Sequence, residues 1–164
     1  MTMIETRKDL ESPTLTLVAL FAATPEWVFA LFEDLRKLEK WWGPPTGPAT
    51  FTRHDLSIGG ESRYHLTGPA GEVGRGYWQM LAIDKPNRID FLTGLAGEDG
   101  EPVETVPPMT GFVTFEAVDG GTRLTVATRF VDLAQMETML NMGMAEGMGQ
   151  AIGQIDALLA PVSA

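Results

Sequence analysis

The sequence predicts an α+β fold in which a curved antiparallel sheet wraps around a long C-terminal helix and leaves an apolar pocket between them. Three observations carry that expectation. A strand followed by two short helices opens the chain, a run of short strands separated by turn residues fills the middle, and an apolar helical stripe occupies the last third.

Thr14 to Ala22 begins with period-two alternation and reads as a strand. Thr24-Pro25-Glu26 supplies an N-cap, a proline at the first helical position and an early acidic residue. Trp27, Val28, Leu31, Phe32 and Leu35 follow at helical spacing. A second short helix ends near Trp41-Trp42, where Gly43-Pro44-Pro45 forbids continuation. Strands are expected over Thr50 to Arg53, Glu61 to Thr67, Val73 to Ile83 and Arg88 to Leu95, the last two joined through Asp84-Lys85-Pro86-Asn87. Ala96 to Pro108, rich in Gly, Glu and Pro, reads as a mobile loop. Gly111 to Val118 and Thr122 to Val131 form a hairpin across Asp119-Gly120-Gly121.

The final helix is capped by Asp132, with Gln135 three residues on as in a capping box. Advancing 100° per residue from Met148 places Leu133, Leu140, Met144, Ala151, Ile155, Leu158 and Leu159 on one apolar stripe. Glu137 and Asn141 project onto the same stripe, so that end is expected to meet water or a polar partner. Gly143, Gly147, Gly149 and Gly153 load the helix with residues that each cost about 1 kcal/mol against Ala. Gly147 and Gly143 lie on or near the stripe's flank, where a missing side chain permits close approach to a strand.

At 164 residues the chain fits one domain, expected over 12–164 behind a flexible polar tail at 1–11. That tail lacks the apolar stretch of a secretory signal, and the chain has no apolar run long enough for a membrane span. A formal charge of −10 argues against nucleic acid and anionic membranes as partners, because both would be repelled over most of the surface. The chain has no cysteine, which removes disulfides, thiolate nucleophiles and thiolate metal sites. Cytoplasmic residence is the resulting expectation, as a monomer or a homodimer.

Catalytic and cofactor signals are sparse. His54 and His65 sit in or beside predicted strands with no acid or nucleophile at a recognised spacing, and they are too far apart in sequence to suggest zinc. Gly71-Glu72-Val73-Gly74 and Gly74-Arg75-Gly76 lack the remaining residues of a phosphate loop. No metal or cofactor is expected. Aromatic and methionine residues are a stronger signal. Trp41, Trp42, Tyr64, Tyr77, Trp78, Phe91, Phe112, Phe115 and Phe130 occupy the segments that would wall a pocket, and Met136, Met139, Met142, Met144 and Met148 crowd one helix. Methionine is flexible and polarizable, which suits a surface that adapts to apolar guests.

Ordered stretches of the chain carry a resemblance. They are Ala23-Thr24-Pro25-Glu26-Trp27-Val28, Trp41-Trp42-Gly43-Pro44, Asp55-Leu56-Ser57-Ile58-Gly59-Gly60 and Gly76-Tyr77-Trp78. Lys85-Pro86-Asn87-Arg88-Ile89-Asp90-Phe91, Gly121-Thr122-Arg123-Leu124-Thr125 and Met142-Gly143-Met144-Ala145-Glu146-Gly147-Met148 continue the series. With these, the chain resembles the START-like, or SRPBCC, superfamily, and within it the group related to the activator of heat shock protein 90 ATPase. The resemblance implies a helix-grip (START-like, Bet v-like) fold with a deep cavity that takes a small hydrophobic molecule. Position 148, often tryptophan in that group, is methionine here, which would remove bulk beside the cavity. The wall residues expected to bind ligand are Trp41, Trp42, Tyr64, Trp78, Phe91, Phe130, Leu140, Met144 and Met148, with Glu137, Asn141, Arg63 or Arg129 orienting a polar group. Two alternatives stand beside this binder. One is a polyketide cyclase or hydrolase using Asp90, Glu137 or His65 as general base; the other is a co-chaperone-like interaction module.

Overall fold

The structure is a computed structural model and describes residues 4–43, 49–68, 70–71 and 73–159. Eight strands form one antiparallel sheet in the order β1-β2-β8-β7-β6-β5-β4-β3. They are β1 (Ile4–Asp9), β2 (Thr14–Phe21), β3 (Ala49–His54), β4 (Glu61–Thr67), β5 (Val73–Asp84), β6 (Arg88–Leu95), β7 (Met109–Val118) and β8 (Gly121–Arg129). Helices α1 (Pro25–Glu33) and α2 (Leu35–Trp41) carry the chain from β2 to β3 at the far edge of the sheet. The helical C-terminal region packs on the same face. The fold class read from the sequence is the one observed.

Local chemistry accounts for the helix starts. The Thr24 hydroxyl accepts from the Trp27 N–H at 3.3 Å, with Pro25 in the first turn, and Asp34 accepts from Arg36 N–H to begin α2. Asp132 accepts from Gln135 N–H at 2.8 Å and starts α3 (Leu133–Asn141). The Gln135 amide does not close the expected box on Asp132. Its oxygen takes the Val131 N–H and its nitrogen donates to the Pro107 carbonyl, tying the loop before β7 to the helix.

Three expectations change. Ile4–Asp9, expected within a polar tail, pairs with β2 from Ile4↔Ala19 to Asp9↔Thr14. Its Glu5, Arg7, Lys8 and Asp9 are those of an edge strand, where charge blocks further pairing. Ala96 to Pro108, expected to be mobile, is held by an Ala96↔Pro102 bridge and by Gly97 N–H to Glu101 and Val103 N–H to Leu95. The long C-terminal helix is interrupted. Gly143 adopts φ +88°, ending α3, and α4 (Met144–Gly153) and α5 (Ile155–Leu159) follow.

That interruption explains a fourth difference. A stripe extrapolated from Met148 across Gly143 loses its phase, so α3 buries Met136 and Met139 and leaves Leu133, Glu137 and Asn141 exposed. Within α4 the register holds, with Ala151 and Ile152 buried. Pro44, Pro45, Glu72 and the side chain of Leu159, which entered the sequence reading, lie outside the described residues.

Strand alternation sets the inner face. Leu15, Leu17, Ala19 and Phe21 of β2, Trp78 and Met80 of β5, and Leu124, Val126 and Thr128 of β8 point toward the helices and are buried. The core is continuous from the β1–β2 edge to Phe51 on β3.

Candidate ligand-binding cavity

The inner face is not filled everywhere. β5 places Gly74 and Gly76 where the alternation calls for inward side chains, and α4 presents Gly147 from the other side. A cavity of about 300 Å³ results. Tyr64 and Leu66 of β4, Phe91, Thr93 and Leu95 of β6, Met109 and Val113 of β7, and Val126 and Thr128 of β8 form its sheet wall. Phe32, Trp41, Trp42 and Gly43 close one end, and Met144, Gly147, Met148, Ala151 and Ile152 form the helical wall.

Its aromatic wall is held from behind. The Trp41 indole N–H donates to the Leu31 carbonyl at 2.9 Å, and its ring meets Phe32 edge-on with centroids 4.8 Å apart. Trp42, the residue that caps α2, stands edge-on to Trp41, Tyr64 and Trp78 at 5.5, 5.9 and 4.9 Å. Gln154, where α4 ends, donates its amide to the carbonyls of Trp41 and Gly43 at 3.2 and 2.7 Å, fastening the helical wall to the aromatic one.

Two aromatics lie flat across glycines of the neighbouring strand. Tyr64 pairs with Gly76 and covers it, and Phe91 pairs with Gly111, where a Cβ would come within 2.5 Å of the ring. Any side chain at Gly76 or Gly111 would push these rings into the cavity. Tyr64 is set deep, and burial pushes its phenol above the usual value against the lowering effect of hydrogen bonds with Trp42 and Thr93. As a whole residue Tyr64 is half-buried and lines both this cavity and the outer cleft behind it. Tyr64, Trp42, Thr93 and Thr128 are therefore the polar groups of an otherwise apolar wall, and Arg75 is the charged residue among the described lining.

Of the wall residues expected from the sequence, the structure brings Trp41, Trp42, Tyr64, Phe91, Met144 and Met148 around this space. Trp78 stands behind them, 2% exposed, against Trp42 and Phe91, and its indole N–H is buried without a partner among the described residues. Phe130 is buried in the core, and Leu140 packs against it; neither lines the cavity. Glu137 and Asn141 are on the exposed side of α3, for the reason of phase given above. Arg63 and Arg129 point to the outer face. Arg63 pairs with Glu61 at 3.1 Å beside Tyr77, and Arg129 lies over Phe112.

The three candidate bases are likewise outside. Asp90 pairs with Arg88 at 2.8 Å on the outer face of β6. His65 lies with Thr52, Arg63, Arg75, Glu98 and Asp99 in a second, outer cleft of about 210 Å³. His54 is nearer the aromatic cluster, but its Nε2 is 2.8 Å from the Phe32 carbonyl and its Nδ1 2.8 Å from the Ser62 hydroxyl. The carbonyl can only accept, so neutral His54 carries its proton on Nε2 and takes the Ser62 O–H at Nδ1. Among the described residues no group of three or more His, Cys, Asp or Glu could hold a metal ion, and no helix is long and apolar enough to cross a membrane.

Lining residues outside the sequence expectation include Phe32, Leu66, Arg75, Thr93, Leu95, Met109, Val113, Val126, Thr128, Gly147 and Ile152. Period-two counting from Phe91 finds Thr93 and Leu95, and counting from Leu124 finds Val126 and Thr128. Gly147 is marked in the sequence as a flank position open to close approach by a strand, but a Cβ there would meet nothing within 4 Å, so the position is legible and the space beside it is not.

The fold recurs in solved structures. A crystal structure of a protein from Mycobacterium smegmatis is 43% identical, with a TM-score of 0.90, over 96% of this chain and 97% of the other. A solution structure of a protein from Arthrobacter aurescens is also 43% identical, with a TM-score of 0.90, over 96% of this chain and 91% of the other. A structure from Silicibacter pomeroyi, described as an AHSA1 protein, is 24% identical with a TM-score of 0.72 over 90% and 97% of the two chains, and shows the shared fold alone. No curated protein matches the sequence. The model of the family described as "Activator of Hsp90 ATPase homolog 1-like protein" matches residues 22–160, a stretch that holds the aromatic wall, the sheet from β3 to β8 and the whole of α4. This chain belongs to that family, whose helix-grip fold often binds hydrophobic ligands.

Proposed function

We propose that the protein binds or carries a small, uncharged, largely apolar molecule in the cavity between the sheet and α4. The observation that supports this most directly is the cavity's wall. Rings and methionines surround about 300 Å³, and the polar side chains there are hydroxyls, indole N–H groups and the Arg75 guanidinium, with no carboxylate among the described lining residues. Such a wall rewards apolar burial and offers a few hydrogen bonds that fix orientation. A charged guest would lose its hydration without gaining a partner, except beside Arg75.

Volume sets the scale of the guest. A 150 Å³ apolar cavity accommodates benzene, roughly 25 Å³ per non-hydrogen atom, so this cavity holds about a dozen such atoms. A ring system of that size is a better match than a sterol or a long acyl chain taken up whole.

The test is native mass spectrometry of the protein purified from its own host, beside a denatured sample. A discrete mass excess that disappears on denaturation, falling at roughly 100–250 Da for about a dozen non-hydrogen atoms, is the expected result. A clean apo mass, together with unchanged iodide quenching of tryptophan fluorescence in a Trp27→Phe variant across a panel of neutral aromatic compounds, would refute the binding reading.

A further inference from the structure

We infer that Gly147 and Gly74 determine which guests the cavity accepts, by leaving room that any other residue would take. This rests on the binding reading above and adds the residues that set its size limit. Of the glycines lining the cavity, Gly76 is covered by Tyr64 and Gly94 by Tyr77. At half-buried Gly147, and at Gly74, which lines the cavity where β5 is exposed, a Cβ would meet nothing within 4 Å. Neither has a positive φ, so neither is a glycine for backbone reasons. Gly147 also lies inside α4, where glycine is the weakest ordinary helix former. Packing against a strand does not explain it, since no atom is close enough to collide. What remains is the space itself.

Gly149 provides the internal comparison. It lies in the same helix and outside the cavity lining, and a Cβ there would touch Leu17 Cδ2 at 3.9 Å, an ordinary contact. Gly149→Ala and Gly147→Ala should therefore both raise Tm, each by about 2–4 °C for a chain of this size. Only the change at 147 enters the cavity. A leucine there adds four carbons, roughly a third of the space at the scale used above.

The experiment measures Tm and the Kd of phenol, 2-naphthol and 4-phenylphenol for the wild type, G149A, G147A, G147L and G74V. The expected result is that G149A binds all three as the wild type does. G147L and G74V should keep phenol within about threefold and lose at least tenfold on 4-phenylphenol, with G147A between. G147L should fold with a Tm no lower than the wild type, because its side chain enters free apolar space. Destabilisation by G147L would overturn the inference, since the room would not exist. An unchanged Kd for 4-phenylphenol in a stable G147L would overturn it too. Failure of the wild type to bind any of the three probes would instead count against the binding reading, whatever the variants' Tm values.

Discussion

Trp41 and Trp78 bury indoles in the same aromatic cluster, yet their N–H groups end differently: Trp41 donates to the Leu31 carbonyl, whereas Trp78 has no partner among the described residues. Replacing either with phenylalanine removes similar volume. At Trp41 the change also breaks a buried hydrogen bond, whereas at Trp78 it removes an unsatisfied donor. Trp41→Phe should therefore be more destabilising than Trp78→Phe by about 1–3 kcal/mol in urea unfolding, and equal costs would show that the Trp78 N–H is satisfied in solution. His54 makes a second prediction at this scale. Burial pushes its pKa below the ordinary value, against the raising effects of the Phe32 carbonyl, Asp55 and the Glu33 backbone. Between that depressed value and the unfolded value of about 6.5, the unfolded chain binds more protons than the native one, so stability rises with pH across that window. His54's contribution is complete above about pH 6.5 and is lost as pH falls through the window, at a slope of at most about 1.4 kcal/mol per pH unit. His54→Gln should flatten this part of the stability profile measured from pH 5 to 8. A profile that keeps the wild-type slope would assign the titration to another group.

The helical C-terminal region shows how one substitution changes sign between neighbouring positions. Gly143 has φ +88° and open space around its missing Cβ, so alanine there meets no clash and suffers only the left-handed conformation, about 1–2 kcal/mol. Gly149→Ala gains helix propensity of up to about 1 kcal/mol instead. Opposite shifts in the urea midpoint are the expected outcome. A stabilising Gly143→Ala would mean that α3 and α4 can join into one straight helix. This break was not legible in the sequence, because four glycines in a helical stretch advertise weak propensity without saying which one turns the chain. β1 was missed for a related reason: an edge strand's charges resemble those of a tail, and its partner β2 already had an explanation. The strands β4 and β6 were legible to the residue, since turn residues bracket them and their inner positions alternate. Gln154, which ends α4, was invisible in advance, as its value lies wholly in the carbonyls of Trp41 and Gly43 more than a hundred positions away. Gln154→Ala should cost about 1–2 kcal/mol and increase the accessibility of Trp42 to iodide. Loss of stability with no change in quenching would separate Gln154 from the cavity wall.

Across the whole molecule, the sequence revealed the cavity's fittings better than its shape. Trp41, Trp42, Tyr64, Phe91, Met144 and Met148 were identifiable because bulky apolar residues advertise burial, whether or not a space adjoins them. Glu137 and Asn141 were misplaced because helical phase was carried across Gly143, and Phe130 because an inward residue beyond the cavity looks like one inside it. The space itself is built from omissions at Gly74, Gly76 and Gly147, and omissions have no hydrophobicity to read. That origin yields a prediction about linkage between binding and folding. A guest bound only by the native state stabilises it by about 2.7 kcal/mol at a hundredfold excess over Kd, which raises Tm by about 5–10 °C in a chain of this length. For an uncharged guest the rise should be nearly the same at 0.05 and 0.5 M salt, despite the protein's charge of −10. Met148→Trp places an indole in the same space without moving the backbone. It should leave the ligand-free Tm unchanged or higher and abolish the guest-dependent rise, because the stabilisation the guest supplied is then already present in the chain. A guest that still raises the Tm of Met148→Trp by the wild-type amount would place its site elsewhere on the molecule, with the outer cleft around His65 and Arg75 the first surface to probe.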